Sequence, residues 1–340
     1  MQVLIIKLSS MGDLVHAFQG IAEAKTHVPK LQLTWVVESP FADILRLQES
    51  IDKIIISDLR VWKKNKFRAL WSGHISAFIC QLRQVKYDLI IDAQGLIKSA
   101  ILAKLARGPS IGFDKNSARE SLASYFYQKK YYIDKNQHAS LRLRQLFSKT
   151  FKYPINLKFN QFGINSSYIR TFNHSKPYCV FIVPTTWINK HYPVIFWQVL
   201  VKEIGAKGFE ILFPAKGTKN LNLVQILINE LPYCHVLPAM NLLEMAGVLH
   251  QANSVIGVDT GLTHLSAALG VKTIGLFGPS SAFLSGSLGP CAINLSVEYE
   301  CSPCLSRKCK KVYYNETPPC YQSLNPERVL KAWTNTQSKI

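Results

Sequence analysis

Apolar and polar positions along the chain follow two periods. Short, continuous apolar runs (VLIIK, LTWVV, KIIIS and DLIID before residue 150; CVFIV, FEILF, CHVL, SVIGV and TIGLF after it) alternate with longer stretches of helical period such as LVHAFQGIAEA. Strands that are apolar throughout, with helices between them, predict parallel sheets covered on both faces. Residues 152–177, KYPINLKFNQFGINSSYIRTFNHSKP, are polar, rich in Asn and Ser and without sustained period, and form the predicted linker. The pattern predicts an α/β chain of two doubly wound, Rossmann-like domains facing a cleft, residues 1–160 and 170–324. A last helix within about 325–340, NPERVLKAWTNTQ, can pack on either domain, including back on the first. No internal repeat is visible.

Composition adds size and charge to this picture. With 340 residues and 48% hydrophobic positions there is material for two cores. The net charge of +19 favours anionic partners: nucleic acid, phosphorylated substrates or an acidic membrane surface. No stretch approaches the about eighteen apolar residues of a spanning helix, and the first strand runs into Asp13 rather than a cleavable leader. The expectation is a cytoplasmic protein. Cys80, Cys179, Cys234 and Cys291 are scattered and read as small buried hydrophobes or inert thiols.

Candidate chemistry sits where strands end. The first strand leads into KLSSMGDLVHAF, which holds one glycine, Gly12, followed by Asp13. The G-x-G-x-x-G of a dinucleotide dehydrogenase is missing there, which argues against that class. The residues alone leave open whether Asp13 is a helix cap or a chemical group. In SVIGVDTGLTHLSAALG a strand ends at Asp259, Thr260 and Gly261 turn into a helix, and His264 lies in its first turn. Free N–H groups and an imidazolium at one spot make an anion site; an N-cap with a surface histidine is the alternative. A second glycine turn, LFGPSS, should end the next strand on the same edge.

VDTGLTHLSAALG, LFGPS, KLSSMGDLVHAF, DAQGLIKSA and SARESLASYFY occur in order along both halves. Together they resemble the bacterial lipopolysaccharide heptosyltransferases of glycosyltransferase family 9, most of all the heptosyltransferase I branch, from residue 1 to about residue 290. The resemblance implies the GT-B architecture and transfer of heptose from ADP-L-glycero-D-manno-heptose to the Kdo of the lipid A inner core, with inversion and without a catalytic metal. It also implies Asp13 as the base of the S-x-G-D loop, with Ser10 and Gly12 beside it on the acceptor side. Thr185, Thr186 and Lys190 of VPTTWINKHYP match the phosphate-binding segment, to which Asp259, Thr260, Gly261 and His264 add; Lys98 and Arg119 match acceptor-domain positions. An inverting transfer needs one carboxylate to take the hydroxyl proton, and fixed cations and N–H dipoles to meet the charge on the leaving diphosphate. No two aspartates are separated by one residue, so the D-x-D pair of many metal-dependent sugar transferases is missing.

RVWKKNKFR supplies Arg60, Lys63, Lys64, Lys66 and Arg68 around Trp62. Such a stretch suits an anionic glycolipid at the cytoplasmic face of the inner membrane, where the enzyme would be peripheral; it also suits a nucleic-acid backbone or a plain solvated face. No nucleic-acid reading module is recognisable, so no nucleic-acid partner is expected. Two features depart from the family. After FEILFP the chain reads AKGTKNLN, with Lys216 and Lys219 where relatives place an acid for the donor's ribose. Cys301, Cys304, Cys309 and Cys320 are spaced C-x2-C-x4-C-x10-C, which fits a structural zinc site, a pair of disulfides or free thiols. The nearest rival is a sister heptosyltransferase, or a transferase of another nucleotide sugar, acting on a different core acceptor.

Overall fold

The structure is a computed structural model that describes residues 1–64, 73–215, 217–228, 231–312 and 317–337. Lys66, Arg68 and Lys216 lie outside the described residues. The chain divides into two units, Met1–Tyr168 and Ile169–Ile340.

The first unit is one parallel sheet of β1 (Gln2–Ile6), β2 (Gln32–Glu38), β3 (Ile51–Ser57), β4 (Leu89–Asp92), β5 (Ser110–Phe113) and β6 (Lys129–Tyr131), ordered β3-β2-β1-β4-β5-β6. The second is built from β7 (Tyr178–Ile182), β8 (Glu210–Phe213), β9 (Cys234–Val236), β10 (Ser254–Val258), β11 (Thr273–Phe277) and β12 (Ala292–Ser296). Its order is β12-β11-β10-β7-β8-β9, again all parallel. Counted within each unit, the two orders are the same. The repeat absent from the sequence is present in the topology.

In each sheet the first strand lies between the second and the fourth, so the chain winds outward in both directions from that point. Loops leaving the carboxyl ends of those two strands part to opposite faces and leave room for a ligand. In the first unit these are the loops after β1 and β4; in the second, the loops after β7 and β10. The central strands β7, β10 and β11 are buried at every position, as their unbroken apolar sequences require. Three strands carry no such signature: SIGF of β5, KKY of β6 and AINLS of β12. β6 and β12 are edge strands, which need only one paired side and no apolar run.

The polar segment 152–177 is tied to both units rather than running free. Gln19 Nε2 donates to the Phe159 carbonyl (2.9 Å), Gln48 Nε2 to that of Phe162 (2.9 Å), and Asn165 N–H to that of Leu47 (2.7 Å), which fixes its first part to the first unit. Its later part meets the second unit, where His174 Nε2 lies 2.7 Å from Glu210 Oε2. Arg144, on the helix Ala139–Phe151, makes two hydrogen bonds to the buried Glu23 carboxylate of the helix Met11–His27, at 2.7 and 2.9 Å. Asn156 N–H donates to the same carboxylate at 2.8 Å.

The last helix, Pro326–Gln337, packs on the helix Val194–Gly205 and on β11, so it belongs to the second unit and does not return to the first. Val329 and Trp333 enter that unit's core, and Trp333 Nε1–H donates to Ser254 Oγ on β10 at 2.8 Å. Among the described residues no helix is long and apolar enough to cross a membrane. Truncating a buried tryptophan removes both packing and this hydrogen bond. Trp333→Ala is expected to cost about 3–5 kcal/mol of unfolding free energy in urea; a loss under about 1 kcal/mol would mean that the helix is not part of the folded unit.

Candidate active site

β1 ends at Ile6 and the helix Met11–His27 begins five residues later, with Ser10 as its N-cap. Asp13 is not the N-cap residue but its partner in a capping box. It lies in the first turn, where its Oδ2 accepts from Ser10 N–H at 3.0 Å and from the Ser10 hydroxyl at 2.8 Å. Burial alone would push the Asp13 carboxyl up; the Lys7 charge, the two Ser10 hydrogen bonds and the Arg119 charge outweigh it and hold the carboxyl below its ordinary value. Asp13 is thus a half-buried, ionised carboxylate with one oxygen engaged by Ser10.

Lys7 closes an apolar strand and was not expected to matter. Its ammonium is buried and donates to the Ala93 carbonyl at 3.1 Å; desolvation lowers its pKa against the charges of Asp13 and Asp92. Asp92 ends β4. Its Oδ1 accepts the N–H groups of Gln94 and Gly95 (2.8 and 3.1 Å), and its Oδ2 accepts the Tyr127 hydroxyl (2.6 Å). Gln94 Oε1 in turn accepts the N–H groups of Leu8 and Ser9, at 2.9 and 3.3 Å, joining the β4 loop to the β1 loop. Gly95 has φ +68°, and a side chain on it would meet the Arg119 backbone N at 3.3 Å. A residue without Cβ is what lets SARES approach DAQG.

Arg60 and Lys98 converge on one partner that the sequence reading did not single out. Glu38, at the end of β2 and 1% exposed, pairs with Arg60 Nε at 2.5 Å and Lys98 Nζ at 3.1 Å. Arg60 Nη2 also donates to Ser9 Oγ at 3.0 Å. Both cations remain partly exposed, 57% and 38%, so they can still meet a ligand anion. Ser10 and Arg119 are exposed and Gly12 is buried in the first helical turn. Lys63 and Lys64 lie on the helix Leu59–Lys64, and Trp62 packs on Phe78 with ring centroids 5.4 Å apart.

In the second unit the loop after β7 carries Thr185, Thr186 and Lys190, and the loop after β10 carries Asp259, Thr260 and Gly261. Lys190 Nζ lies 2.6 Å from Asp259 Oδ2, and His264 Nε2 lies 3.0 Å from Oδ1. Burial would raise the Asp259 pKa; the hydrogen bond and charge of His264, then the charge and hydrogen bond of Lys190, reverse this and hold the carboxyl well below its usual range. His264 is 4% exposed and its Nδ1 meets Ser287 Oγ at 3.1 Å, so it is not a surface histidine. Thr260, the N-cap of Gly261–Ala268, makes no side-chain capping bond, which leaves the first-turn N–H groups available to an anion. Thr185 is half-buried, its carbonyl 3.2 Å from His191 Nε2, and Thr186 is exposed. Ser280, in the turn after β11, has a buried hydroxyl without a hydrogen-bond partner among the described residues.

The cysteine-rich segment braces the Lys190 turn. Ser302 Oγ donates to the Gly278 carbonyl (3.0 Å), Leu305 N–H to that of Pro279 (2.8 Å), and Asn189 Nδ2 to that of Ser306. The Trp187 ring has Lys190 Nζ 4.6 Å and Arg307 Cζ 5.2 Å from its centroid. Tyr321, buried beneath, donates to the Asn189 carbonyl at 3.2 Å. Cys301, Cys304, Cys309 and Cys320 are free thiols, the first two exposed and the others half-buried. Burial, then the neighbouring thiols, push the Cys320 thiol up to about 11. Among the described residues no three His, Cys, Asp or Glu side chains are arranged to hold a metal ion.

Residues 75–314 match the family pattern of glycosyltransferase family 9 (heptosyltransferase). Lipopolysaccharide heptosyltransferase 1 of Pseudomonas aeruginosa is 36% identical, over 97% of this chain and 96% of its own. The protein of the same name from Salmonella typhimurium is 39% identical, over 85% and 92%. The solved structure of Escherichia coli heptosyltransferase WaaC with ADP superposes with a TM-score of 0.87 at 33% identity, covering 99% of this chain and all of that one. These relatives make the architecture GT-B.

The pairing of Asp259 has a measurable consequence. Its folded-state pKa lies below that of the unfolded chain, about 3.9, so its stabilisation is present above about pH 4 and is lost as pH falls through the folded value. Asp259→Asn is expected to lower stability near neutrality and to flatten its decline below about pH 5 in urea unfolding. An acid slope equal to that of the unsubstituted protein would show that the carboxylate is not paired.

Proposed function

Since the chain belongs to glycosyltransferase family 9, the heptosyltransferases, we propose that it transfers heptose from ADP-L-glycero-D-manno-heptose to the Kdo of the lipid A inner core, with inversion at the anomeric carbon. What carries this reading is the opposite chemistry of the two loop sites: an ionised carboxylate, Asp13, at the first, and a fixed ammonium beside an open helix N-terminus at the second.

On the acceptor side, Asp13 takes the hydroxyl proton as the oxygen attacks. One carboxylate oxygen is engaged by Ser10, which orients the group; the other is the one to receive the proton. A depressed pKa makes Asp13 a weaker base, yet keeps it ionised throughout the working range, and the attacking hydroxyl becomes more acidic as its bond to carbon forms. Arg60 and Lys98, held from behind by Glu38, present partly exposed cations to the carboxylates and phosphates of the glycolipid. Such an acceptor places the enzyme at the cytoplasmic face of the inner membrane as a peripheral protein.

On the donor side, charge grows on the β-phosphate as the glycosidic bond breaks. Lys190 and the first-turn N–H groups of Gly261–Ala268 meet it, with Thr185 and Thr186 as hydroxyl donors. These groups supply the positive charge that a metal gives in other sugar transferases, so activity should survive excess EDTA.

The test is incubation with ADP-heptose and Kdo-lipid A, followed by product mass. Asp13→Asn is expected to fold and bind the donor but to lose about 10²–10⁴ in turnover. Full activity of that variant would sink the assignment of the base, and transfer from a different nucleotide sugar, or only to a more elaborated core, would sink that of the substrates.

A further inference from the structure

Lys190 and Asp259 stand at the ends of two central strands, but the hydrogen-bond chain that holds them runs on to the sheet edge. His264 bridges Asp259 Oδ1 through Nε2 at 3.0 Å and Ser287 Oγ through Nδ1 at 3.1 Å. Ser287 is 1% exposed. One amide grips its backbone from both sides: Asn294 Oδ1 accepts Ser287 N–H at 2.9 Å, and Asn294 Nδ2 donates to the Ser287 carbonyl at 3.0 Å. Asn294 lies on the edge strand β12. Room for its amide comes from two residues without side chains, since a Cβ on Gly275 would sit 3.1 Å from Oδ1 and one on Gly286 3.0 Å from Nδ2.

With the Ser287 backbone clamped, its hydroxyl holds the Nδ1 side of the ring in place. The ionised Asp259 carboxylate can only accept, so Nε2 carries the hydrogen it receives, while the Ser287 hydroxyl donates to an unprotonated Nδ1 or accepts from a protonated one. That assigns one carboxylate oxygen to His264 and leaves the other for Lys190. Were the ring free to turn, both oxygens would compete for the ammonium and draw it off the line it needs to meet a phosphate.

We propose that Ser287, clamped by Asn294, is a positioning residue for the transfer: through His264 it fixes Asp259, and through Asp259 it aims Lys190. This rests on Lys190 being the cation that meets the donor diphosphate. Small misplacements of such a group cost rate more than affinity, because the charge it answers is largest in the transition state.

The experiment compares Ser287→Ala, Ser287→Thr and Lys190→Ala in the full-length protein. Steady-state kinetics with ADP-heptose are read beside the ring ¹⁵N shifts of His264 without substrate. Expected for Ser287→Ala is a fall of about tenfold or more in kcat, a donor KM within about twofold, and a displaced Nδ1 resonance; Ser287→Thr, which keeps the hydroxyl, restores both. The proposal is overturned if Ser287→Ala keeps the unsubstituted kcat and ring shifts while Lys190→Ala is inactive. It is overturned equally if kcat falls with the ring shifts unmoved, since the loss is then structural. Full activity of Lys190→Ala would instead remove the donor-site reading, and the proposal with it.

Discussion

A carboxylate withdrawn from water at a sheet edge has to be paired, and Asp259 meets that demand from two directions. Lys190 comes from the loop after β7 and His264 from the helix after β10, so the pairing stitches together the two loops that the strand order would otherwise send to opposite faces. Other local features serve the same knot. The Trp187–Lys190 turn is held by Ser306 and Tyr321 through Asn189, and by Arg307 stacked across Trp187. The cysteine-rich stretch is, in the fold, a buttress for a lysine.

The first unit solves the same topological problem with the opposite sign. Where the second unit buries a carboxylate and surrounds it with cations, the first buries an ammonium, Lys7, among carboxylates and a carbonyl. Gln94 sews the β1 loop to the β4 loop as Lys190 sews β7 to β10, but with neutral hydrogen bonds. The net result is a loop edge presenting Asp13 in one unit and an open helix N-terminus with Lys190 in the other. One strand order used twice thus presents a carboxylate at one loop edge and an ammonium at the other, and the buried charge at its centre differs.

Much of this was legible in the chain. Nine of the twelve strands announce themselves as apolar runs, and the strand-end positions of Asp13, Asp259 and Lys190 follow from them. What the sequence could not show is pairing across distance. Glu38 reads as the polar end of a strand, Lys7 as its counterpart on β1, and Ser287 as a loop residue; each acquires meaning from a partner tens of positions away. The strands β5, β6 and β12 escaped for a related reason, since short or edge strands are specified by their neighbours' backbone and not by an apolar run. Cys301, Cys304 and Cys309 lie close enough to Cys320 to raise its thiol, a convergence that their spacing alone does not show.

Exposure separates cations locked into the fold from cations left accessible. The Arg144–Glu23 pair is 6% and 0% exposed, takes a third hydrogen bond from Asn156, and has no face left for anything else. Breaking such a pair would cost about 3–5 kcal/mol, with the loss appearing as unfolding. Arg60 and Lys98 are anchored to an equally buried acid, yet stand 57% and 38% exposed, and Lys190 is intermediate at 15%. A buried carboxylate with partly exposed cations keeps long side chains in place before a ligand arrives, which lowers the entropy cost of binding an anion. Because Arg60 and Lys98 share the single charge of Glu38, the pairing leaves a net positive charge. Much of the +19 charge is spread over the surface and can act only through a screened field. The few cations anchored by buried acids are the ones whose position, and so whose chemistry, the fold determines.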